Sequence, residues 1–223
     1  MLKYPCLVLD HDETVVQSEK TIGYPCFCQT LSRIRPRYCL TLEEYVRGCH
    51  ELGFVDMCRN WFGFSDAEMQ EEYNDWMEYV KVHVPDPFPG IQEIIYQQKK
   101  CGGLLCVVSH SSNQNISRDY QEHFGLLPDA IYGCEFPKEQ QKPSPYPLKD
   151  IMHRFDLKPE EILVVDDMKL ACQMAQPVNV AVAFAGWGKE DFPEISQEMR
   201  KLCRYSFDTT RDLYRFLFES FSV

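Results

Sequence analysis

The sequence predicts an α/β protein with a doubly wound parallel sheet, interrupted near its start by an all-helical insert. Two observations favour this fold. Residues 87–223 alternate short apolar runs with helical patterns, the order expected of βαβ units with right-handed crossovers. Residues 17–86 carry helical periodicity only. We therefore expect a core domain from residues 1–16 and 87–223, and a helical domain from residues 17–86.

The first predicted strand, residues 5–9, leads directly into Asp10-His11-Asp12-Glu13-Thr14. Side chains alternate along a strand, so Asp10 and Asp12 are expected to turn into one crevice at the strand's carboxyl end, where open α/β sheets bind ligands. Two carboxylates that close together need a cation or a shared proton. A surface loop or a helix cap would explain an isolated Asp-x-Asp better than a site would, but three later segments reverse this preference.

The insert is predicted to contain three helices, over residues 19–34, 42–62 and 65–82. Pro36 and Thr41 separate the first two, and Thr41 followed by Glu44 offers a helix cap. Five arginines in the insert could hold an anionic substrate, although a solvated helix face is the better explanation for any single one of them: Arg33, Arg35, Arg37, Arg47 and Arg59.

The second segment is an apolar strand over residues 104–108 that ends at Ser109 and His110, ahead of a helix over residues 116–124. A serine at a strand tip, before a helix N-terminus, can donate to an anionic oxygen together with backbone N–H groups. Ser109 could equally end the strand without any further role. His110 could approach the same site or simply follow the strand.

The third segment is Lys142, followed by Pro143 and Pro145 and then a helical pattern over residues 148–155. The two prolines stiffen the backbone beside the lysine and disfavour an early helix. A lysine fixed near carboxylates and a phosphate can neutralise both, whereas a lysine in an ordinary turn is solvated.

The fourth segment is a buried strand over residues 162–165, followed by Asp166 and Asp167 and a helix over residues 168–175. Oxygen ligands of this kind suit Mg²⁺, although an aspartate here could instead cap the helix. A further strand over residues 181–184 ends at Gly186-Trp187-Gly188, and a helix over residues 209–221 closes the chain.

These four segments, in this order, resemble the motifs of the haloacid dehalogenase-like hydrolase superfamily, phosphatase branch. The matching residues are Asp10-x-Asp12-x-Thr14, Val108-Ser109, Lys142-Pro143-x-Pro145 and Val164-Val165-Asp166-Asp167, with Phe88-Pro89-Gly90-Ile91 resembling the return into the core. The resemblance implies a Rossmann-like core with a helical cap inserted after the first motif. Glu13 stands where the commonest members have glycine, and His11 replaces the usual apolar or aromatic residue.

By resemblance, Asp10 is the nucleophile that forms an aspartyl-phosphate, and Asp12 is the general acid and base. Ser109 and Lys142 would hold the transferring oxygens, with Thr14 and His110 also expected to bind substrate. The cofactor implied is Mg²⁺, held by Asp10, the backbone carbonyl of Asp12, Asp167, and Asp166 directly or through water. These roles predict a Mg²⁺-dependent phosphatase that acts on a small phosphorylated metabolite.

Alternatives remain open at this point. A phosphosugar mutase keeps both acids of the first motif, and a non-catalytic protein that binds a phosphorylated ligand would share the scaffold. A dehalogenase or phosphonate hydrolase is disfavoured because these lack the acid that Asp12 supplies. A phosphoaspartate receiver domain is disfavoured by the late position of the acid pair and by the helical insert.

Composition limits the classes of binding partner and the cellular location that we expect. The net charge of −11 argues against nucleic acid and against an anionic membrane surface. Eleven cysteines, several inside apolar runs, are expected to be reduced thiols. Met1-Leu2-Lys3 precedes the first strand directly, so we expect no signal peptide and a cytoplasmic protein. Oligomeric state is not indicated.

Overall fold

The computed structural model describes residues 2–219, and within them the chain forms two compact units. One comprises the chain up to Val16 and from Pro87 onward, and the other is Gln17–Asp86. None of the helices in residues 2–219 has the length and apolar character needed to cross a membrane.

The larger unit is built on one parallel sheet, which in the described residues has six strands in the order β3-β2-β1-β4-β5-β6. Their bounds are β1 Cys6–Leu9, β2 Leu104–Val108, β3 Ala130–Tyr132, β4 Ile162–Asp166, β5 Ala181–Ala185 and β6 Tyr205–Phe207. The α-helices of the described chain are α1 Tyr24–Ile34, α2 Leu42–Leu52, α3 Phe54–Phe62, α4 Asp66–Val82, α5 Ile91–Lys100, α6 Asn113–Phe124, α7 Tyr146–Phe155, α8 Lys169–Ala175, α9 Pro193–Leu202 and α10 Thr210–Phe218.

Helices cover both faces of the sheet, which confirms the doubly wound α/β fold predicted from the sequence. Leu7 and Leu9 of β1 face a core that includes side chains of α5, α6 and α10. Cys6 and Val8 face the opposite core, which includes side chains of α7 and α8. Because both faces are covered, the central strands are apolar up to their carboxyl ends and show no polar alternation.

The strand register sets the position of the polar residues. Leu9 lies opposite Val107 of β2 on one side and opposite Val165 of β4 on the other. The residues that follow these positions therefore come together at one edge of the sheet. Asp10 continues this register, its N–H donating to the carbonyl oxygen of Val165 at 2.9 Å.

Several elements differ from the sequence-based expectation. β3 and β6 are strands of three residues at the two sides of the sheet, too short to give a periodic signal. The helix expected over residues 42–62 is two helices, because Gly53 adopts a φ of 82° between them. α6 begins at Asn113, earlier than expected, with Ser112 accepting the N–H of Asn115. α10 ends at Phe218; of the closing helix expected to reach residue 221, positions 220 and 221 lie outside the described residues.

The smaller unit contains α1 to α4, and the ring of Phe27 in α1 contacts Tyr45, Phe54, Phe62 and Phe64. Capping boxes begin α2, between Thr41 and Glu44, and α4, at Ser65 with Glu68. Four of the five arginines considered as anion ligands form ion pairs inside this unit: Arg33 with Glu71 and Asp75, Arg35 with Glu68, Arg47 with Glu43, and Arg59 with Asp66.

Candidate active site

The site lies at the carboxyl end of the central strands, where β1, β2 and β4 deliver Asp10, Ser109 and Asp166. Asp10 follows β1, and Asp166 is the last residue of β4. Ser109 follows β2, and its N–H donates to the carbonyl oxygen of Tyr132 at 3.0 Å. Parallel strands present such residues to one crevice, because all their carboxyl ends lie at the same edge.

Lys142 links two of the acids. Its Nζ lies 3.0 Å from Oδ1 of Asp10 and 2.8 Å from Oδ2 of Asp166, and all three side chains are buried. Burial by itself lowers the pKa of Lys142, but the charges of Asp10 and Asp166 outweigh burial and raise it. Lys142 is therefore a fixed cation between the first and fourth segments.

A second buried lysine, which the sequence analysis did not single out, holds the remaining acid. Nζ of Lys189 lies 2.8 Å from Oδ2 of Asp167, and the two side chains are 0% and 3% exposed. Lys189 belongs to the short 3₁₀ helix Gly186–Lys189, directly after β5. The sequence feature that could have identified Lys189 is a charged residue at the end of an otherwise apolar segment.

The acids fit a divalent cation. One oxygen each from Asp10, Asp166 and Asp167 lies within 4.8 Å of the others, and all three residues are buried. Oδ1 of Asp167 is buried and has no hydrogen-bond partner among the described residues. A buried carboxylate oxygen left without a donor is costly unless a cation can bind it. Three hard oxygen donors with such an atom suit Mg²⁺.

The side chain of Asp12 is not a member of this group of three acids. Its Oδ2 accepts a hydrogen bond from Oγ of Ser111 at 2.6 Å, and Oγ of Ser109 lies 3.4 Å from the same oxygen. The sequence analysis missed Ser111, which lies two residues beyond Ser109 and in the same polar stretch. Asp12 as a metal ligand therefore stays a prediction that concerns its backbone carbonyl alone.

Thr14 and His110, both expected to bind substrate, occupy different environments. Thr14 is fully buried, and its carbonyl oxygen accepts a hydrogen bond from Nε1 of Trp187 at 3.0 Å. Nε2 of His110 lies 3.1 Å from the carbonyl oxygen of Lys142, a contact that needs the proton on Nε2. His110 thus lies beside the Lys142 backbone, and Thr14 supports the loop after β1 through its main chain.

The two unusual residues of the first motif are both accommodated by contacts. Glu13 adopts a left-handed conformation with a φ of 54°, the region that glycine reaches most easily. Its N–H donates to the carbonyl oxygen of Val16 at 2.8 Å, which closes the turn. Nε2 of His11 lies 3.0 Å from Oδ2 of Asp119 in α6, and both side chains are buried. The loop that carries Asp10 and Asp12 is therefore held from two sides.

Known proteins similar to this chain were found by sequence and by structure. A curated relative, the phosphoglycolate phosphatase of Vibrio vulnificus (strain CMCP6), is 24% identical over 105 residues, which cover 46% of this chain and 45% of that protein. The match therefore spans less than half the length of this curated relative.

Two solved structures show the same fold. A protein predicted to be a phosphoglycolate phosphatase from Haemophilus somnus 129PT has a TM-score of 0.72 at 17% identity, covering 97% of this chain and 99% of that chain. CbbY from Rhodobacter sphaeroides, solved with xylulose-1,5-bisphosphate, has a TM-score of 0.67 at 17% identity, covering 82% and 86%. At these identities the likeness shows the fold alone.

The family itself is shown by a sequence profile. The profile of the haloacid dehalogenase-like hydrolases matches residues 7–185, which include all four segments of the site and most of the sheet. This match confirms the resemblance inferred from the motifs. The parallel sheet and the acid cluster are consistent with this match. The chain belongs to the haloacid dehalogenase-like hydrolase family of enzymes.

Proposed function

We propose that this protein is a Mg²⁺-dependent phosphatase that hydrolyses a small phosphorylated metabolite through a phosphoryl group carried on Asp10. The observation that supports this most is the different environment of two acids in one motif. Asp10 lies against Lys142 and beside two further carboxylates, whereas Asp12 is held by hydroxyl groups. Acids that perform different steps of one reaction need such different surroundings.

The proposed reaction begins with Asp10. A carboxylate oxygen of Asp10 attacks phosphorus in line, and the bond from phosphorus to the leaving oxygen breaks while Asp12 gives that oxygen a proton. Asp12 then removes a proton from water, the water oxygen attacks phosphorus, and the bond to Asp10 breaks. Inorganic phosphate and a free carboxylate result, so the enzyme is regenerated.

The main obstacle to this reaction is repulsion between the carboxylates of the site and the phosphate, and cations in the site would reduce it. Lys142 and Ser109 would hold the phosphoryl oxygens, where charge stabilisation has the largest effect. Asp10 and Asp167 would hold Mg²⁺, with the Asp12 carbonyl and Asp166 as further direct or water-mediated ligands. When bound, Mg²⁺ neutralises charge between the carboxylates and the phosphate; one pair of unit charges at ~4 Å repels by about 4 kcal/mol at an effective dielectric of 20.

The helical unit Gln17–Asp86 is the proposed cap. In an enzyme of this kind a cap excludes water and contacts the part of the substrate that is not transferred. The names of the phosphoglycolate and xylulose-bisphosphate relatives support small phosphorylated acids and sugars as the first candidates.

The test is phosphate release by the full chain from p-nitrophenyl phosphate and from a panel of phosphorylated metabolites that includes 2-phosphoglycolate. We expect turnover with Mg²⁺, none in EDTA, and background rates for Asp10→Asn, which keeps the shape of the nucleophile without its charge. Equal activity in EDTA would discard the metal, and a folded Asp10→Asn variant with more than a few per cent of wild-type turnover would discard the nucleophile. Isomerisation of a phosphosugar without phosphate release would indicate a mutase.

The role of Asp12 has its own test. Asp12→Ala should slow alkyl phosphates such as 2-phosphoglycolate by about 100-fold or more, since a general acid contributes roughly 10²–10⁴-fold. p-Nitrophenyl phosphate should be affected far less, because its leaving group departs without a proton. Equal slowing of both esters would contradict the general-acid role.

A further inference from the structure

A serine outside the predicted motifs donates a short hydrogen bond to the proposed general acid. Oγ of Ser111 donates to Oδ2 of Asp12 at 2.6 Å, while Oγ of Ser109 lies at 3.4 Å from the same oxygen. Ser111 is 4% exposed. The three other acids of the site are each paired with a lysine, Lys142 or Lys189.

The main chain of Ser111 is held by two hydrogen bonds. The carbonyl oxygen of Ser111 accepts the N–H of Cys134 at 3.0 Å, and the N–H of Ser111 donates to Oγ of Ser109 at 3.2 Å. Gly133 lies so close that a Cβ there would approach the Ser111 carbonyl oxygen to 2.6 Å. These contacts hold the main chain and Cβ of Ser111 beside Asp12, and the hydrogen bond to Oδ2 of Asp12 selects the direction of the hydroxyl.

A hydroxyl is chemically suited to hold an acid that gives and takes a proton. It can donate to a carboxylate and can also accept from a protonated carboxyl, whereas an ammonium can only donate. A hydrogen bond to one carboxyl oxygen also restricts rotation of the whole group, which keeps the other oxygen in a defined direction. Geometry of this kind is what proton transfer in a transition state requires.

We propose that Ser111 is a positioning residue that holds the Asp12 carboxyl in the orientation needed for proton transfer to the leaving oxygen. The inference rests on the proposed phosphatase function and adds a residue to it. Ser109 remains the hydroxyl that holds the phosphoryl group, and Ser111 acts only through Asp12.

The kinetic test compares Ser111→Ala with Ser111→Thr on the full chain in Mg²⁺. Ser111→Ala should lower kcat for 2-phosphoglycolate by about tenfold or more, a part of the whole general-acid effect, and should change kcat for p-nitrophenyl phosphate by less than about threefold. Ser111→Thr, which keeps the hydroxyl, should restore most of the loss. In an Asp12→Ala background, Ser111→Ala should have no further effect on either ester.

The matched control is Ser112→Ala, one residue further along. Ser112 is equally buried, but its Oγ accepts the N–H of Asn115 and caps α6. Its loss should lower stability and leave the ratio of the two esters unchanged. The proposal is wrong if Ser111→Ala slows both esters equally, if it raises KM without lowering kcat, or if Ser112→Ala gives the same selective loss.

A second measurement needs no catalysis. In urea denaturation of the protein in EDTA, Ser111→Ala should lower the midpoint in the wild-type background and leave it unchanged in the Asp12→Ala background. Equal shifts in both backgrounds would overturn the Ser111–Asp12 contact. A wild-type protein inactive on every ester would reject the proposed function, while this denaturation cycle would still decide the contact.

Discussion

Replacing Lys189 by methionine should destabilise the larger unit strongly, because the change leaves Asp167 buried without its cation. Methionine keeps the length and apolar character of the lysine stem, so the loss of charge is the principal change. The Lys189 and Asp167 side chains are 0% and 3% exposed, and water cannot replace the ammonium group. Asp167 also lies in one cluster with Asp10 and Asp166, whose charges oppose its own.

The size of the effect follows from the geometry. At the 2.8 Å separation of Nζ and Oδ2, the attraction is about 6 kcal/mol at an effective dielectric of 20, and the desolvation of both ions offsets part of it. Removal of one partner from a buried pair typically costs about 3–5 kcal/mol, since the other charge remains buried. We therefore expect Lys189→Met to lower the free energy of unfolding by about 3–5 kcal/mol in EDTA.

The assay is urea unfolding followed by the fluorescence of Trp187, two residues from Lys189. The chain has three tryptophans, and Trp61 and Trp76 belong to the smaller unit. With Trp61→Phe and Trp76→Phe, the tryptophan fluorescence comes from Trp187 and reports the larger unit alone. Lys169→Met is the control, because Lys169 and Glu198 are 3.9 Å apart and partly exposed, and it should change stability by about 0.5 kcal/mol or less.

The double variant Lys189→Met with Asp167→Asn separates charge from packing. It should recover much of the loss, because no uncompensated ion then remains in the interior. A loss below about 1 kcal/mol for Lys189→Met would refute the reasoning, as would a double variant that is no more stable than Lys189→Met alone.

Two further predictions concern stability. Burial, and then the charge of Asp75, raises the pKa of Glu72 from 4.5 to about 7. The protonated Glu72 side chain therefore contributes stability that is fully present below pH 4.5 and is lost as the pH rises to about 7. Glu72→Gln should therefore unfold like wild type at pH 4 and be up to about 3 kcal/mol more stable at pH 8, at about 1.4 kcal/mol per pH unit; the exposed Glu71→Gln is the control, and equal effects at both pH values would contradict burial of the charge. Gly188→Ala should lower the midpoint of thermal unfolding by an amount equivalent to about 1–3 kcal/mol and should slow phosphate release, because its Cβ would lie 1.9 Å from the carbonyl oxygen of Glu13. An unchanged midpoint would show that the loop can move aside.

Local pattern alone was enough to predict the central strands and the residues that end them. A buried strand of a parallel sheet is a short apolar run, and the polar residue after it is visible in one dimension. Asp10, Ser109 and Asp166 were found in this way, and their motif order predicted the family that the sequence profile confirms. The three-residue strand β3 was missed, because three residues carry no readable period.

The residues that end the strands, the doubly wound class of the fold and the family could therefore all be predicted before the structure was known. The side chains that hold these acids, for example Ser111 on Asp12 and Lys189 on Asp167, are identified by the folded chain alone. Such pairs join residues that are distant along the chain, and no periodic pattern records them. Their geometry comes from strand register and from the turns that follow each strand, and these form only when the whole sheet is assembled.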